Sequence, residues 1–227
     1  MSNKENFKKT QGMKDPQLKK RILMSAIGVL ICGISVGMFK RAALGVDPFQ
    51  SLMSGLNAVI PISFGTLYVI ANLCLLAFAL IFDRRKIGLA TLINLFFFGY
   101  IAEYTLKFLE KILPSLSLPG RLFLLIMAVV IMCLASAFYF TADLGVSTYD
   151  AVSLIISEKQ SKVAFKYCRI ISDVICVVLG FLLCKAGGFS LAQIGGEIGI
   201  GTIITAFFMG PLIAFFNERV ARPFLFN

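Results

Sequence analysis

The side chains able to hold a polar solute or an ion in this sequence are few, and they sit at unusual places. Asp47 and Gln50 belong to the phrase LGVDPFQ (Leu44–Gln50), and Asp150 closes a second version of it, LGVSTYD (Leu144–Asp150). Each phrase is written like the start of a helix. Asp47 can accept from the orphan N–H groups of a first turn, and Pro48 suits the first helical position. Gln50, three residues after Asp47, has the spacing of a reciprocal capping box, and Ser147 with Asp150 repeats that spacing. Beyond the cap, Phe49, Leu52, Met53, Leu56, Val59 and Ile60 share one helical face, with Gln50, Ser54 and Asn57 on another. Tyr149, Val152, Ile155 and Ile156 similarly oppose Asp150, Ser153 and Ser157.

A helix of about a dozen residues is too short to cross a bilayer. Two placements follow. The pair can lie at the membrane surfaces as connectors, or they can fold inward so that their electropositive N-termini and polar faces line a central cavity suited to an anionic or polar solute.

Asn72 and Asp173 each stand alone and polar in an apolar run, and an ionisable group at such depth is a functional candidate by default. Arg169, four residues before Asp173, offers a purely structural partner on the same helix face. Glu197 lies in GGEIGIGT, where Gly195 and Gly199 have the four-residue spacing of a packing seam, as do Gly33 and Gly37. Packing accounts for the glycines but not for a carboxylate among them, which makes Glu197 the candidate for coupling to a proton or cation. Glu103, near the end of its apolar run, is expected at the interface.

The elements that must position these residues are membrane helices. Of 227 residues 58% are hydrophobic and only 15% charged, which excludes an ordinary water-soluble domain. Runs at 22–39, 64–82, 87–106, 122–142, 167–184 and 197–217 are each long enough to cross a hydrocarbon layer about 30 Å thick. The net charge of +10 gathers before the first run, at Arg84–Lys86, at Lys159–Lys166 and at Arg219 and Arg222. That distribution implies anionic lipid as the partner, not nucleic acid, and puts both termini in the cytoplasm. The leader lacks a cleavage site, so the first run reads as an uncleaved anchor.

The six cysteines are scattered without a C-x-x-C pair and histidine is absent, so no metal site, disulfide framework or cofactor is expected. Nothing resembles a nucleophile with its base, and the sequence does not read as an enzyme.

The phrase is part of a longer repeat. Arg21 and Arg121 open the preceding spans, Asn72 and Asp173 occupy matching places afterwards, and TLINLFFFGYIAEY from Thr91 matches TIITAFFMGPLIAF from Thr202. Three crossings per unit would invert the second unit relative to the first. The expected organisation is an all-α polytopic protein: a basic leader at 1–20, one membrane repeat at 21–112, a second at 121–217 and a cytoplasmic tail at 218–227.

From Arg21 to Phe216, LGVDPFQ, LGVSTYD and the glycine- and threonine-bearing third span resemble the YitT/YczE family of bacterial multi-pass membrane proteins. The second copy departs from the family's Leu-Gly-x-x-Pro-aromatic phrase by placing Thr148 where proline would stand. The resemblance implies a plasma-membrane protein of a group labelled as transporters and commonly described with five spans, and it supplies no substrate and no site residues. The combined expectation is a small-solute permease working by alternating access around Asp47, Gln50, Asn72, Asp150, Asp173 and Glu197. A substrate-capturing subunit beside an ATP-driven partner and a non-transporting membrane modulator are the alternatives, and the glycine seams could serve within one chain or in a homo-oligomer.

Overall fold

The computed structural model describes residues 17–84, 87–159 and 165–226. Most of the basic leader, together with Arg85, Lys86 and Lys162, lies outside the described residues. Among the described residues ten α-helices follow one another: α1 (Leu18–Ala42), α2 (Pro48–Val59), α3 (Phe64–Asp83), α4 (Leu89–Ile112), α5 (Leu118–Ala142), α6 (Thr148–Lys159), α7 (Phe165–Ala186), α8 (Leu191–Glu197), α9 (Ile200–Phe216) and α10 (Arg222–Phe226), with a π-helical turn at Asn217–Ala221 before the last. No strand occurs among the described residues. Among the described residues six stretches are long and apolar enough to cross a membrane, the last running over Leu191–Leu225. Their outward faces carry exposed Phe97, Phe108, Phe123 and Phe207, as expected of surfaces that meet lipid.

α1 and α5 cross antiparallel at the centre. Gly28 lies against the backbone of Ala135 and Tyr139, while Ser35 Oγ donates to Ala128 O at 2.6 Å. Each helix terminates the other. Arg21 donates from Nε to Ala142 O and from its second nitrogen to Asp143 O, both at 2.7 Å, and Arg121 donates to Ala42 O at 2.7 Å and to Ala43 O. The last carbonyls of a helix have no partner within it, and a guanidinium satisfies two at once while meeting the negative end of the dipole. The two arginines of the repeat therefore do the same work at opposite ends of the bundle.

Gly33 and Gly37 form the expected seam, closing α1 onto Phe98–Thr105 of α4. Gly195 and Gly199 do not. α8 ends at Glu197, Ile198 and Gly199 are extended (φ −124° and −147°), and Gly199 opens α9. The expected span at 197–217 corresponds to α9, and a short helix and a break precede it where a continuous glycine seam was expected. Thr202 explains the break, since its hydroxyl accepts from Gly199 N at 3.2 Å and starts a new first turn. All six cysteines are free, five of them buried and Cys74 exposed. Glu103 accepts from Gly65 N at 2.9 Å and from Lys107 at 2.7 Å, which ties the start of α3 to α4.

Candidate functional site

The two phrases fold alike. In each, the residue after the long helix is left-handed (Ala43 and Asp143, both φ 49°) and the glycine two residues later has a positive φ, 104° at Gly45 and 109° at Gly145. A side chain at that glycine would strain the backbone and would also strike the chain opposite, Gly199 and Thr202 in one case, Gly88 and Thr91 in the other. These non-helical stretches share hydrogen bonds with α9 in the first case and with α4 in the second. Gly201 N donates to Leu44 O at 2.7 Å and Ala90 N to Leu144 O at 3.0 Å, while Thr91 Oγ1 donates to Val146 O at 2.6 Å. Irregular backbone deep in a membrane protein needs such protein partners, and here it has them.

Both short helices lie along a span instead of across it. Ser51 and Gly55 meet Gly180, and Ala58 meets Gly187, so α2 runs beside the second half of α7 in the same direction. On the other side Thr148 Oγ1 donates to Asn72 Oδ1, Ala151 and Ile155 pack with Ala79, and Lys159 Nζ sits 4.1 Å from the Phe82 ring, so α6 runs beside the second half of α3. Each short helix therefore begins level with the middle of a span. Their starts meet: Phe49 and Tyr149, equivalent residues of the two phrases, stack with ring centroids 4.8 Å apart and planes 24° off parallel. Gln50, Ser51 and Ser54 on α2 are buried, while Val59 and Ile60 at its far end are exposed. The polar face of α2 points into protein, as the inward placement requires.

Around the stacked rings lies a cavity of about 540 Å³, within the usual range for small-molecule sites. Positions that the sequence likeness of the two phrases and their following spans would align line it in pairs: Asp47 and Ser147, Gln50 and Asp150, Asn72 and Asp173, Tyr68 and Arg169, Asn94 and Thr205. Asp47, Gln50, Asn72, Asp150 and Asp173 are brought together as the sequence suggested. Asp47 accepts from Gln50 N at 3.2 Å and so caps α2. The expected reciprocal box does not close, because Gln50 Oε1 has no hydrogen-bond partner. In the second phrase Ser147 Oγ accepts from Asp150 N at 3.1 Å and donates to Asp150 Oδ2 at 2.6 Å. Asn72, buried on α3, accepts from Thr148 and donates to Tyr68 O at 2.8 Å.

Asp173 pairs with Arg169 at 3.2 Å, the helical partner foreseen in the sequence, and accepts from Tyr149 OH at 2.7 Å. Arg169 does more than that spacing suggested. It also pairs with Asp150 and lies 4.4 Å over the Tyr149 ring, bridging α6 and α7. One signal for Arg169 and Tyr68 was present in the sequence, since each stands four residues before the matched pair Asn72 and Asp173. Tyr139, whose buried hydroxyl is unpartnered, had no such signal.

Glu197 is not among the cavity-lining residues. Its carboxylate is 3.8 Å from Lys40 Nζ, which also donates to Ser54 Oγ at 2.8 Å and lies 4.0 Å from the Phe64 ring. Its backbone carbonyl accepts from Val46 N at 3.0 Å and Ser51 Oγ at 3.1 Å. The glycine-rich segment is thereby a platform on which the first phrase sits.

A model of a family of unknown function, DUF6198, matches residues 19–218, a stretch that includes every residue lining the cavity. The chain belongs to this family. Among similar proteins, the uncharacterized protein YyaS of Bacillus subtilis (strain 168) is 28% identical over 199 residues, covering 88% of this chain and 93% of its own. An uncharacterized protein of Haemophilus influenzae is 25% identical over 202 residues, covering 88% and 84%. The uncharacterized membrane protein YczE of Bacillus subtilis (strain 168) is 24% identical over 191 residues, covering 83% and 81%, in keeping with the YczE-like resemblance of the sequence. No solved structure matches. With six apolar stretches and a relative named as a membrane protein, this DUF6198 member is a multi-pass membrane protein.

Proposed function

We propose that this DUF6198 protein is a small-solute transporter of the bacterial plasma membrane that works by alternating access. The observation that carries the proposal is the cavity into which both short helices open, each starting level with the middle of a span of the other half. Half-length helices whose N-termini meet beside unwound backbone are a recurrent way to build a mid-membrane binding site. The reciprocal arginine caps, the reciprocal backbone exchanges and the Phe49–Tyr149 stack support two halves related by inversion, and the distribution of basic residues along the chain supports cytoplasmic termini. In this reading one half rocks on the other across the α1–α5 crossing, and the solute is exposed first to one side and then to the other. A carrier suits the cavity better than an enzyme does: the chain has no histidine to shuttle protons, and the hydroxyls that donate to carboxylates there belong to a helix cap (Ser147 to Asp150) and to the cluster around Arg169 (Tyr149 to Asp173).

Cysteine accessibility tests the reading without knowledge of the solute. Ser136→Cys, on the cavity wall, is introduced after the six native cysteines are replaced. A membrane-impermeant thiol reagent is expected to modify it both in right-side-out and in inside-out vesicles. Modification from one side only under every condition would favour a capture subunit, and no modification from either side would end the transporter reading.

A further inference from the structure

We infer that the solute is a small organic cation, a protonated amine with an apolar body, for which Asp47 and Gln50 are the acceptors. The inference rests on the transporter reading and names its substrate class. Three carboxylates line the cavity, Asp47, Asp150 and Asp173, and one guanidinium, that of Arg169. The guanidinium is already shared between Asp150 and Asp173. Two helix N-termini contribute roughly half a positive charge each, which leaves the cavity negative. An anion entering it would meet uncompensated carboxylate, whereas a monovalent cation would bring the site close to neutrality. Helix N-termini alone pointed to an anion, and the side chains they carry reverse that preference.

The unpartnered groups suit the same ligand. Gln50 is 2% exposed and Tyr139 6%, and the Gln50 carbonyl oxygen and the Tyr139 hydroxyl both lack a partner. A buried acceptor left unmade is unfavourable, so a ligand that donates a hydrogen bond there gains what water outside would have supplied. An ammonium offers up to three such donors and a carboxylate offers none. Asp47, held by the Gln50 N–H, stands one turn of backbone from that oxygen.

The walls complete the match. Phe49 stacks on Tyr149 and Tyr68 on Phe98, with ring centroids 4.8 Å and 5.1 Å apart, and all four rings border the cavity. Aromatic faces attract cations, and Arg169 over the Tyr149 ring shows that one of these faces already holds one. Val29, Met132, Met209 and Ile213 give the lining an apolar portion that accepts a hydrocarbon body.

The test is binding to the purified full chain, followed as a saturable rise in melting midpoint with a thiol-reactive dye. The probes are phenethylammonium, n-butylammonium and tetramethylammonium, set against phenethyl alcohol and 3-phenylpropionate. Phenethylammonium is expected to protect the wild type, and the alcohol and the carboxylate are not. Asp47→Asn keeps a good helix cap while removing the charge, and is expected to weaken phenethylammonium at least about 30-fold. Gln50→Leu should weaken it about ten-fold or more. Equal protection by the alcohol or the carboxylate, unchanged affinity in Asp47→Asn, or no protection by any of the three ammonium compounds would overturn the assignment. Access of reagent to Ser136→Cys does not depend on the charge of the solute. Labelling from both sides with no ammonium binding would remove the cation alone and leave the transporter reading standing.

Discussion

Thr148 stands where the first phrase has Pro48, and the structure gives the difference a measurable value. Its hydroxyl donates to Asn72 Oδ1, and both residues are only 1% exposed. Thr148→Val keeps the shape of the side chain and removes the donor, so the Asn72 oxygen is left buried without it. An orphaned buried acceptor costs about 1–3 kcal/mol. In a chain of this length about 1 kcal/mol moves a melting midpoint by about 2–4 °C, which predicts a fall of about 2–12 °C for the valine variant. Thr148→Pro loses the same bond. Proline, however, fits the first helical position and regains about 0.4–1 kcal/mol by restricting the unfolded chain, so this variant should melt about 1–4 °C above the valine variant. A thiol-reactive dye reads the transition, because five of the six native cysteines become accessible only when the bundle opens. A valine variant melting within a degree of wild type would show that Asn72 does not depend on Thr148. A proline variant melting below the valine variant would show that residue 148 is not at an open first helical position, and the alignment of the two phrases would fail with it.

The arginine caps should behave as a matched pair: Arg21→Ala and Arg121→Ala each remove two charge-assisted bonds to terminal carbonyls, and each should cost about 2–4 kcal/mol in the same melting assay. The two sites share no partner, so the double variant should show the sum of the two losses to within about 0.5 kcal/mol. Glu197→Gln deprives a largely buried Lys40 of its counter-charge and should lower stability by about 1–3 kcal/mol, below the full value for a broken buried pair because Ser54 and the Phe64 ring remain. A Glu197→Gln protein that melts like wild type, yet loses solute movement driven by an ion gradient, would return Glu197 to the coupling role that its position outside the cavity argues against.

How much of this was legible depended on the range of each interaction. The six apolar runs and the two capped starts at Asp47 and Ser147 are local patterns, written within a few turns, and they stand where the sequence placed them. The meeting of Asp47, Gln50, Asn72, Asp150 and Asp173 was suggested by the likeness of the two phrases and by the matching places of Asn72 and Asp173, since it depends on contacts between stretches far apart in the sequence. Three things were not legible. Gln50 has the spacing of a capping partner, but its burial on the cavity side of α2 takes its oxygen away from the cap. The run through GGEIGIGT is apolar enough to read as unbroken helix, and the break comes from Thr202 and from contact with Leu44 and Gly45, far away in sequence. Glu197 read as a charge among glycines because its partner, Lys40, lies at the end of a different span.

The side-by-side fit of α2 with α7 also sets an order of assembly. When α1 to α4 have entered the bilayer, the surface that receives Ser51, Gly55 and Ala58 has not yet been made, since it consists of Gly180 and Gly187 from the later half of the chain. Until that span arrives, the face of α2 that carries Ser51, Gly55 and Ala58 has no protein to cover it, although Lys40 of α1 can already reach Ser54, and headgroups or water are the better surroundings for that face. Its counterpart α6 meets α3 already in place. Two elements alike in form thus reach their seats by different routes, one waiting and one docking at once, and a chain cut between α4 and α5 would leave the first of them stranded at the surface.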